Sequence, residues 1–445
     1  MKKLFISVFI MAVSLLIIGG CIPIYPPIYT PTPPPWNTPT PPPWATPTPT
    51  TPIPTPTPTP TQGPSIAKWT FMVYIDGDNN LEKMAVGDLN EMEMVGSTSS
   101  VNIVAQIDRI PGYLLASSAD DDTSNGDWTD TRRFYVTKDY DPYTIGSTMV
   151  QDLGEVNMGD PQNIVDFVRW AKNNYPAEHY ALIIWNHGGG FRKSISFLKN
   201  KDIALDETNS DVITMPELSS ALSQVKALLG KKIDLVGMDA CLMGMIEVAY
   251  EIKDYGNIMV ASEESEPFEG WPYDRLLTAL TSNPNMSASS LGAAIVNNFV
   301  NYYAGSDSVT LSAIDLTKIG ALANAVSQLA HAIINDNLSY YMTYIDDADN
   351  AQYYNGDKNF IDLYDFAVEI TNDSSVLDPN VKSNAASVIS LVSNAVIAKG
   401  ATFIGENHGL SIYFPRNEAS VDPKYAVTKF AHDTYWDEML HYLGF

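Results

Sequence analysis

A chain of 445 residues is long enough for one large or two ordinary domains and needs no disulfide or metal staple to hold a core together. Acidic residues outnumber basic ones 52 to 26, for a net charge of −26. That balance excludes recognition of nucleic acid or of an anionic membrane through a basic face; it suits cationic ligands, and equally a soluble, self-repelling exported surface.

Lys2 and Lys3, the apolar run Leu4–Ile18 and the small pair Gly19-Gly20 read as a signal peptide over 1–20. The tetrad Ile18-Gly-Gly-Cys21 resembles the bacterial lipobox, in which the cysteine becomes the lipidated first residue of the mature chain. Cys21 is then a lipidation site, and the protein is expected outside the cytoplasmic membrane, at the cell surface or in the periplasm, touching lipid through this anchor only. Residues 21–64 carry no charge and hold 19 of the 30 prolines, so they cannot bury enough surface to fold and read as an extended Pro/Thr-rich tether.

The folded part is expected from residue 65. Trp69–Ile75 reads as a buried strand, Asp76–Asn80 as a turn, Leu81–Val95 as a helix, Val101–Ile107 and Thr131–Val136 as strands, Pro161–Trp170 as a helix and Tyr180–Trp185 as a buried strand. Phe191–Val212 reads as a polar connection and Pro216–Leu229 as a helix. The apolar run ending at Asp239-Ala-Cys241 reads as a strand followed at once by a helix from Met243 to Tyr250. Ile258–Ala261 is a further strand before a loop, Ser262–Tyr273, in which Glu263, Glu264 and Glu266 read as a solvated surface. Helix Leu291–Tyr303 and strand Val309–Ile314 follow, then helices Thr317–Ile334, Phe360–Ile370 and Asn384–Ala398, and closing strands Thr402–Ile404 and Gly409–Phe414. Alternating strands and helices predict an α/β fold, a mostly parallel sheet covered by helices on both faces.

Cys21 and Cys241 are the only cysteines and lie in unlike contexts, so no structural disulfide is expected and Cys241 is a lone thiol in the folded part. Cys241 and His187 each follow a buried strand, so a parallel sheet puts both on its carboxyl edge, where an imidazole can take the thiol proton and later return it to a leaving amine. The amides of Gly188 and Cys241 are candidate oxyanion donors.

Trp69-Thr-Phe-Met-Val-Tyr74 with Asp76-Gly-Asp-Asn-Asn-Leu-Glu82, Tyr180-Ala-Leu-Ile-Ile-Trp-Asn-His-Gly-Gly-Gly190, Asp239-Ala-Cys-Leu-Met-Gly244, the Ser262–Trp271 loop and Gly409-Leu-Ser-Ile-Tyr-Phe-Pro415 together resemble the clostripain family of cysteine peptidases. The resemblance implies a caspase-like fold with His187 and Cys241 as the catalytic dyad, their separation of 54 residues being close to that in caspases. It implies an endopeptidase acting on proteins or peptides with arginine or lysine before the scissile bond. Asp239 takes the place of one acid of the specificity pocket, and Glu269 that of a second, more often aspartate in relatives. It also implies self-cleavage in the loop after the histidine, where Arg192, Lys193, Lys199 and Lys201 are basic; Lys199 and Lys201 are the candidate sites.

The expected division is a catalytic core over 65–314, a helical sub-domain over 315–398, and closing strands with a C-terminal helix over 399–445. His187-Gly-Gly-Gly also resembles an esterase oxyanion motif, but no serine has the flanking glycines of a nucleophile elbow. Asp76, Asp78 and Asn80 have alternating ligand spacing, yet Leu81 and Gly87 stand where an EF-hand loop needs glycine and glutamate, which leaves open a looser calcium site at Asp76 and Asp78 beside the plainer reading that Asp76 and Asn79 shape the sheet edge. Some members of the resembled family depend on calcium; no other cofactor is expected. The rival reading is a non-catalytic, lipid-tethered binding protein on the same scaffold.

Overall fold

A computed structural model describes residues 66–110, 122–191, 203–336, 341–405, 407–416 and 420–445. The signal peptide, Cys21, the tether and the basic residues Arg192, Lys193, Lys199 and Lys201 lie outside the described residues.

Strand β1 (Ala67–Gly77) is the apolar run Trp69–Ile75 extended at both ends, and helix α1 (Glu82–Glu93) returns the chain to β2 (Val101–Arg109), parallel to β1. Strands β3 (Arg132–Tyr135) and β4 (Met149–Asp152) add antiparallel edges. Helix α2 (Pro161–Asn174) starts where the Asp160 side chain accepts from the Gln162 amide and Pro161 presets the first turn. It leads to β5 (Ala177–Trp185), on the other side of β1. The connection read as irregular contains a hairpin, β6 (Ile203–Asp206) with β7 (Asp211–Ile213).

Helix α3 (Met215–Leu229) has a Thr214/Glu217 capping box and a left-handed Gly230 at its end, and delivers the chain into β8 (Ile233–Asp239), parallel to β5. Helix α4 (Ile246–Ile252) begins later than its apolar pattern predicts, because Cys241 and Leu242 form a turn and Met245 bridges to Ser411 before the helix starts. Strand β9 (Gly256–Ala261), helices α5 (Tyr273–Ser282) and α6 (Ala288–Tyr302) and strand β10 (Val309–Asp315) follow.

The C-terminal part carries helices α7 (Ile319–Asn335) and α8 (Tyr341–Asn350), strands β11 (Tyr353–Tyr354) and β12 (Asp357–Asp362), and helices α9 (Leu363–Asn372) and α10 (Pro379–Ala395). Strands β13 (Val396–Thr402) and β14 (Ser411–Tyr413) and helices α11 (Lys429–Asp433) and α12 (Trp436–Tyr442) complete it. Two sequence expectations are corrected here. Phe360–Asp362 is strand rather than helix, since Phe360 and Ile361 pair with Tyr413 and Ile412, and the Asp362 carboxylate caps the helix that starts at Leu363. The helix expected to reach Ala398 stops at Ala395, and Val396–Thr402 pairs antiparallel with β10 instead, leaving Phe403 and Ile404 outside any strand.

Among the described residues the main sheet has nine strands in the order β13-β10-β9-β8-β5-β1-β2-β3-β4, with the five central strands β9-β8-β5-β1-β2 mutually parallel. Side chains alternate across it. Met72 and Tyr74 join a core with Ile164 of α2, Leu218 of α3, Ile246 of α4 and Leu322 of α7; Phe71, Val73 and Ile75 join another with Val86 of α1, Leu276 of α5 and Ile295 of α6. Two buried faces explain why the central strands read as unbroken apolar runs, each such side chain contributing about 1.5–3 kcal/mol relative to exposure. The α/β fold with helices on both faces and a helical C-terminal part is therefore as expected.

Candidate active site

Trp185 of β5 and Asp239 of β8 are register partners, so the residues that follow each strand emerge level with one another on the carboxyl edge. His187, Cys241 and Asp239 accordingly line one cleft, together with Glu266, Pro267 and Phe268 from the loop after β9. Glu269 is exposed and is not among the lining residues, and Glu266 occupies the place beside Asp239.

The imidazole of His187 is half-buried, with Nε2 at 2.7 Å from the Asn80 Oδ1. An amide oxygen only accepts, so Nε2 carries the proton and the lone pair falls on Nδ1. Asn80 closes the turn after β1, and that turn is tied down from below: the Asn79 Nδ2 donates to the carbonyls of Asp76 and Leu205, each at 3.0 Å, and the Asn186 Nδ2 donates to the same two at 2.7 and 3.1 Å. The Asn186 side chain also accepts from the His187 amide.

Cys241 is half-buried and its Sγ accepts from the Glu266 amide at 3.3 Å. The turn behind it is strained, since Leu242 sits at φ +60° without being glycine, a conformation held by the Leu242 amide donating to Glu264 O at 3.1 Å and the Gly244 amide to Ser262 O at 2.6 Å. Gly188 lies flat against this turn: a Cβ there would stand 2.3 Å from the Cys241 carbonyl oxygen and 3.0 Å from its nitrogen. Only glycine allows the two candidate oxyanion amides to come so close.

Asp239 is buried and its Oδ2 accepts from the Tyr273 hydroxyl at 2.8 Å and the Trp271 amide at 3.2 Å. Burial pushes its carboxyl up to about 6; the proton on Glu266, the Tyr273 hydroxyl and the Trp271 amide restrain the rise. Glu266 is pushed well above the carboxylate range, first by burial and then by the Asp239 charge; both its carboxylate oxygens are buried with no hydrogen-bond donor of ordinary geometry. Two acids thus face each other at the cleft without a cation between them. Glu263, read from sequence as solvated, is buried too: its carboxylate accepts from Tyr354, Asn407 and the Gly409 amide and ties the loop to the C-terminal part. Asn80 and Glu266 are the site residues sequence reasoning misses. Asn80 has a signal, its place in a polar turn at a strand end; the aim of Glu266 has no periodicity from which to read it.

A second acidic cluster lies under the Asn80 turn. One carboxylate oxygen from each of Asp78, Asp108, Glu155 and Asp206 falls within 4.8 Å of the others, and Asp76, the register partner of Asp108, is buried beside them. Burial raises Asp108 to about 9 and Glu155 to about 7, and holds Asp76 well above its ordinary value. The group is a potential metal-binding cluster, of which sequence spacing singles out Asp78 as a member and Asp76 as a neighbour.

Residues 73–443 match the clostripain family of C11 peptidases. Clostripain of Hathewaya histolytica is 27% identical over 424 residues, covering 82% of this chain and 78% of that protein. Among solved structures, an inactive zymogen C11 protease from Parabacteroides distasonis superposes with a TM-score of 0.61 at 18% identity, over 84% of this chain and 99% of that one. A secreted C11 cysteine protease from Bacteroides thetaiotaomicron, in complex with an irreversible peptide inhibitor, gives a TM-score of 0.60 at 20% identity, over 84% and 100% of the two chains. At such identities the likeness is one of fold, and it is the caspase-like fold that the sequence blocks imply.

Proposed function

The chain belongs to the clostripain family and is a cysteine endopeptidase of it, and from that premise we propose that it cleaves after arginine, and less readily lysine, with Cys241 as nucleophile and His187 as base. Nδ1 of His187, held by Asn80, takes the thiol proton; the thiolate attacks the scissile carbonyl, and the amides of Gly188 and Cys241 hold the oxyanion. The imidazolium then protonates the leaving amine, and water, deprotonated by the same nitrogen, hydrolyses the thioester.

The observation that carries the specificity is the pair Asp239 and Glu266, in which both buried Glu266 oxygens lack a hydrogen-bond donor and suit a cation with several donors. A guanidinium supplies a planar fork that meets both acids, whereas an ammonium offers a point charge, which supports arginine over lysine. We place the second pocket acid at Glu266 rather than Glu269. The test is hydrolysis of fluorogenic peptides ending in Arg, Lys or Leu by the full chain.

Maturation by self-cleavage in the 191–212 loop, at Lys199 or Lys201, belongs to the same proposal and is supported by a solved relative being described as an inactive zymogen. Wild-type protein is expected to run as two fragments on a denaturing gel and Cys241→Ala as one; a fully active single chain would sink the idea. Export with a lipid on Cys21 is supported by the Ile18–Cys21 tetrad and by a relative described as secreted. Cys21→Ser is expected to move the protein from the membrane to the soluble fraction, and an unchanged distribution speaks against the anchor. Calcium is the cofactor we assign to the acidic cluster, an all-oxygen set in which the buried Asp78 Oδ2 and Asp108 Oδ2 meet no hydrogen-bond donor.

A further inference from the structure

We propose that the small sheet β11-β12-β14 of the C-terminal part braces the segment that carries the nucleophile, and that Glu264 is the positioning residue through which it sets the geometry of Cys241. Residues 241–245 lead from β8 into α4, and Leu242, directly after the thiol, is held at φ +60°. A non-glycine residue in that conformation persists only where its surroundings over-determine it. Here both ends of the segment are gripped by the same three strands.

At the near end the Leu242 amide donates to the Glu264 carbonyl at 3.1 Å. Glu264, which reads from sequence as part of a solvated surface, is itself fixed. Its amide donates to Ser262 Oγ and Thr310 Oγ1 at 3.1 and 3.0 Å, and its two carboxylate oxygens share the Asn355 amide at 2.9 and 2.8 Å. The Asn355 Oδ1 accepts in turn from Ser265 Oγ at 3.0 Å. Asn355 and Gly356, at φ +55° and +61°, join β11 to β12, and an Asn-Gly pair suits a two-residue hairpin turn with both residues left-handed. Such a turn leaves its first central amide without a partner inside the hairpin, and the Glu264 carboxylate takes it.

At the far end the Ser411 amide of β14 donates to the Gly244 carbonyl at 2.9 Å, and Met245 forms a parallel bridge with Ser411. Strand β14 pairs with β12 through Ser411, Ile412 and Tyr413. The Tyr354 hydroxyl of β11 lies 3.0 Å from Glu263 Oε1 and 2.8 Å from the Asp362 Oδ2 of β12, a buried link from the sheet to the residue before Glu264.

The grip reaches the reacting atom through main chain. Two residues after Glu264, the Glu266 amide donates to Cys241 Sγ at 3.3 Å, so the stretch 264–266 touches the thiol itself and the residue behind it. Attack on a carbonyl is steep in distance and direction, and a misplacement of about 1 Å costs about 10²-fold. Asp239 is held separately, by Tyr273 and Trp271. The brace therefore governs kcat more than KM. Its effect on kcat rests on the reading of Cys241 as nucleophile; its grip on the segment does not.

Steady-state kinetics of the full chain on Arg-ending peptides, with Tm and hydrogen exchange over residues 239–246, tests it. Glu264→Ala should lower kcat about tenfold with KM held within about twofold, and speed exchange in the segment about tenfold. Glu264→Gln, whose side-chain oxygen still accepts from the Asn355 amide, should recover most of the rate. Asn355→Ala, at an exposed turn position, loses the Ser265 contact and tolerates the left-handed conformation less well, so it should reproduce both effects more weakly and decides the matter alone if Glu264→Ala does not fold. Because the two residues act through one contact, the double variant should be no slower than Glu264→Ala. Wild-type kcat and exchange in these variants, a loss of Tm with neither changed, Gln as slow as Ala, or losses that multiply in the double variant overturns the brace. If Cys241→Ala still hydrolyses the peptides, the nucleophile reading falls by itself, and the exchange data still decide whether the sheet holds the segment.

Discussion

Cys241→Ala is expected to bring hydrolysis of Arg-ending peptides to background, and His187→Ala to lower kcat by about 10²–10⁴-fold, the usual worth of a positioned base. Graded losses should surround them. Asn80→Ala frees the imidazole to turn its protonated nitrogen toward the thiol, so kcat should fall about 10- to 100-fold with KM little changed, by analogy with partners that fix a histidine tautomer. Asn80→Asp, which still accepts from Nε2–H, should recover much of the rate. Gly188→Ala pushes a methyl into the Cys241 carbonyl and should cost about 10²–10³-fold, the loss of an oxyanion donor. Steady-state kinetics on fluorogenic peptides, with Tm recorded for each variant, decides. Near-wild-type rates for His187→Ala, or an Asn80→Ala effect confined to KM, would remove His187 from the role given to it.

Much of this arrangement is legible in the sequence because hydrophobicity alone locates the ends of buried parallel strands, and chemistry collects there. The runs Trp69–Ile75, Tyr180–Trp185 and Ile233–Asp239 put Asp76, His187 and Cys241 on one edge by their apolar pattern alone. What sheet register brings together is not legible. Asp108, Glu155 and Asp206 come from strand ends and a loop far apart in sequence, and only the pairing of Asp76 with Asp108 and the fold of the hairpin carry them beside Asp78. The pocket loop shows the same limit. Glu266 and Glu269 are three residues apart in an irregular segment, where the turn at Gly270, φ +60°, decides which one faces Asp239. Phe360–Asp362 reads as helix because its apolar spacing continues smoothly into α9, and the strand exists only by virtue of β14.

The acid pair makes a pH prediction whose sign separates it from denaturation. Burial raises the Asp239 carboxyl to about 6 and, with the Asp239 charge, holds Glu266 well above its ordinary value. A guanidinium needs the charge. Hence kcat/KM for Arg-ending peptides should fall about tenfold per pH unit below about 6, where Asp239 becomes protonated. Stability runs the other way. The folded Asp239 binds a proton more tightly than in the unfolded chain, so its contribution to stability is greatest below the unfolded value of 3.8 and is lost as pH rises through about 6. Acid therefore weakens substrate capture while relieving repulsion in the fold, and the acid limb should appear with no drop in Tm attributable to this pair. Asp239→Asn keeps acceptors for Tyr273 and Trp271 but loses the charge. It should lower kcat/KM for arginine by about 10²–10³-fold and abolish the limb near 6, the magnitude expected when one partner of a buried charge pair is removed. Glu266→Gln should keep that limb. If Asp239→Asn and wild type share one pH profile, or if Leu-ending peptides are cut as well as Arg-ending ones, the pair does not select the substrate.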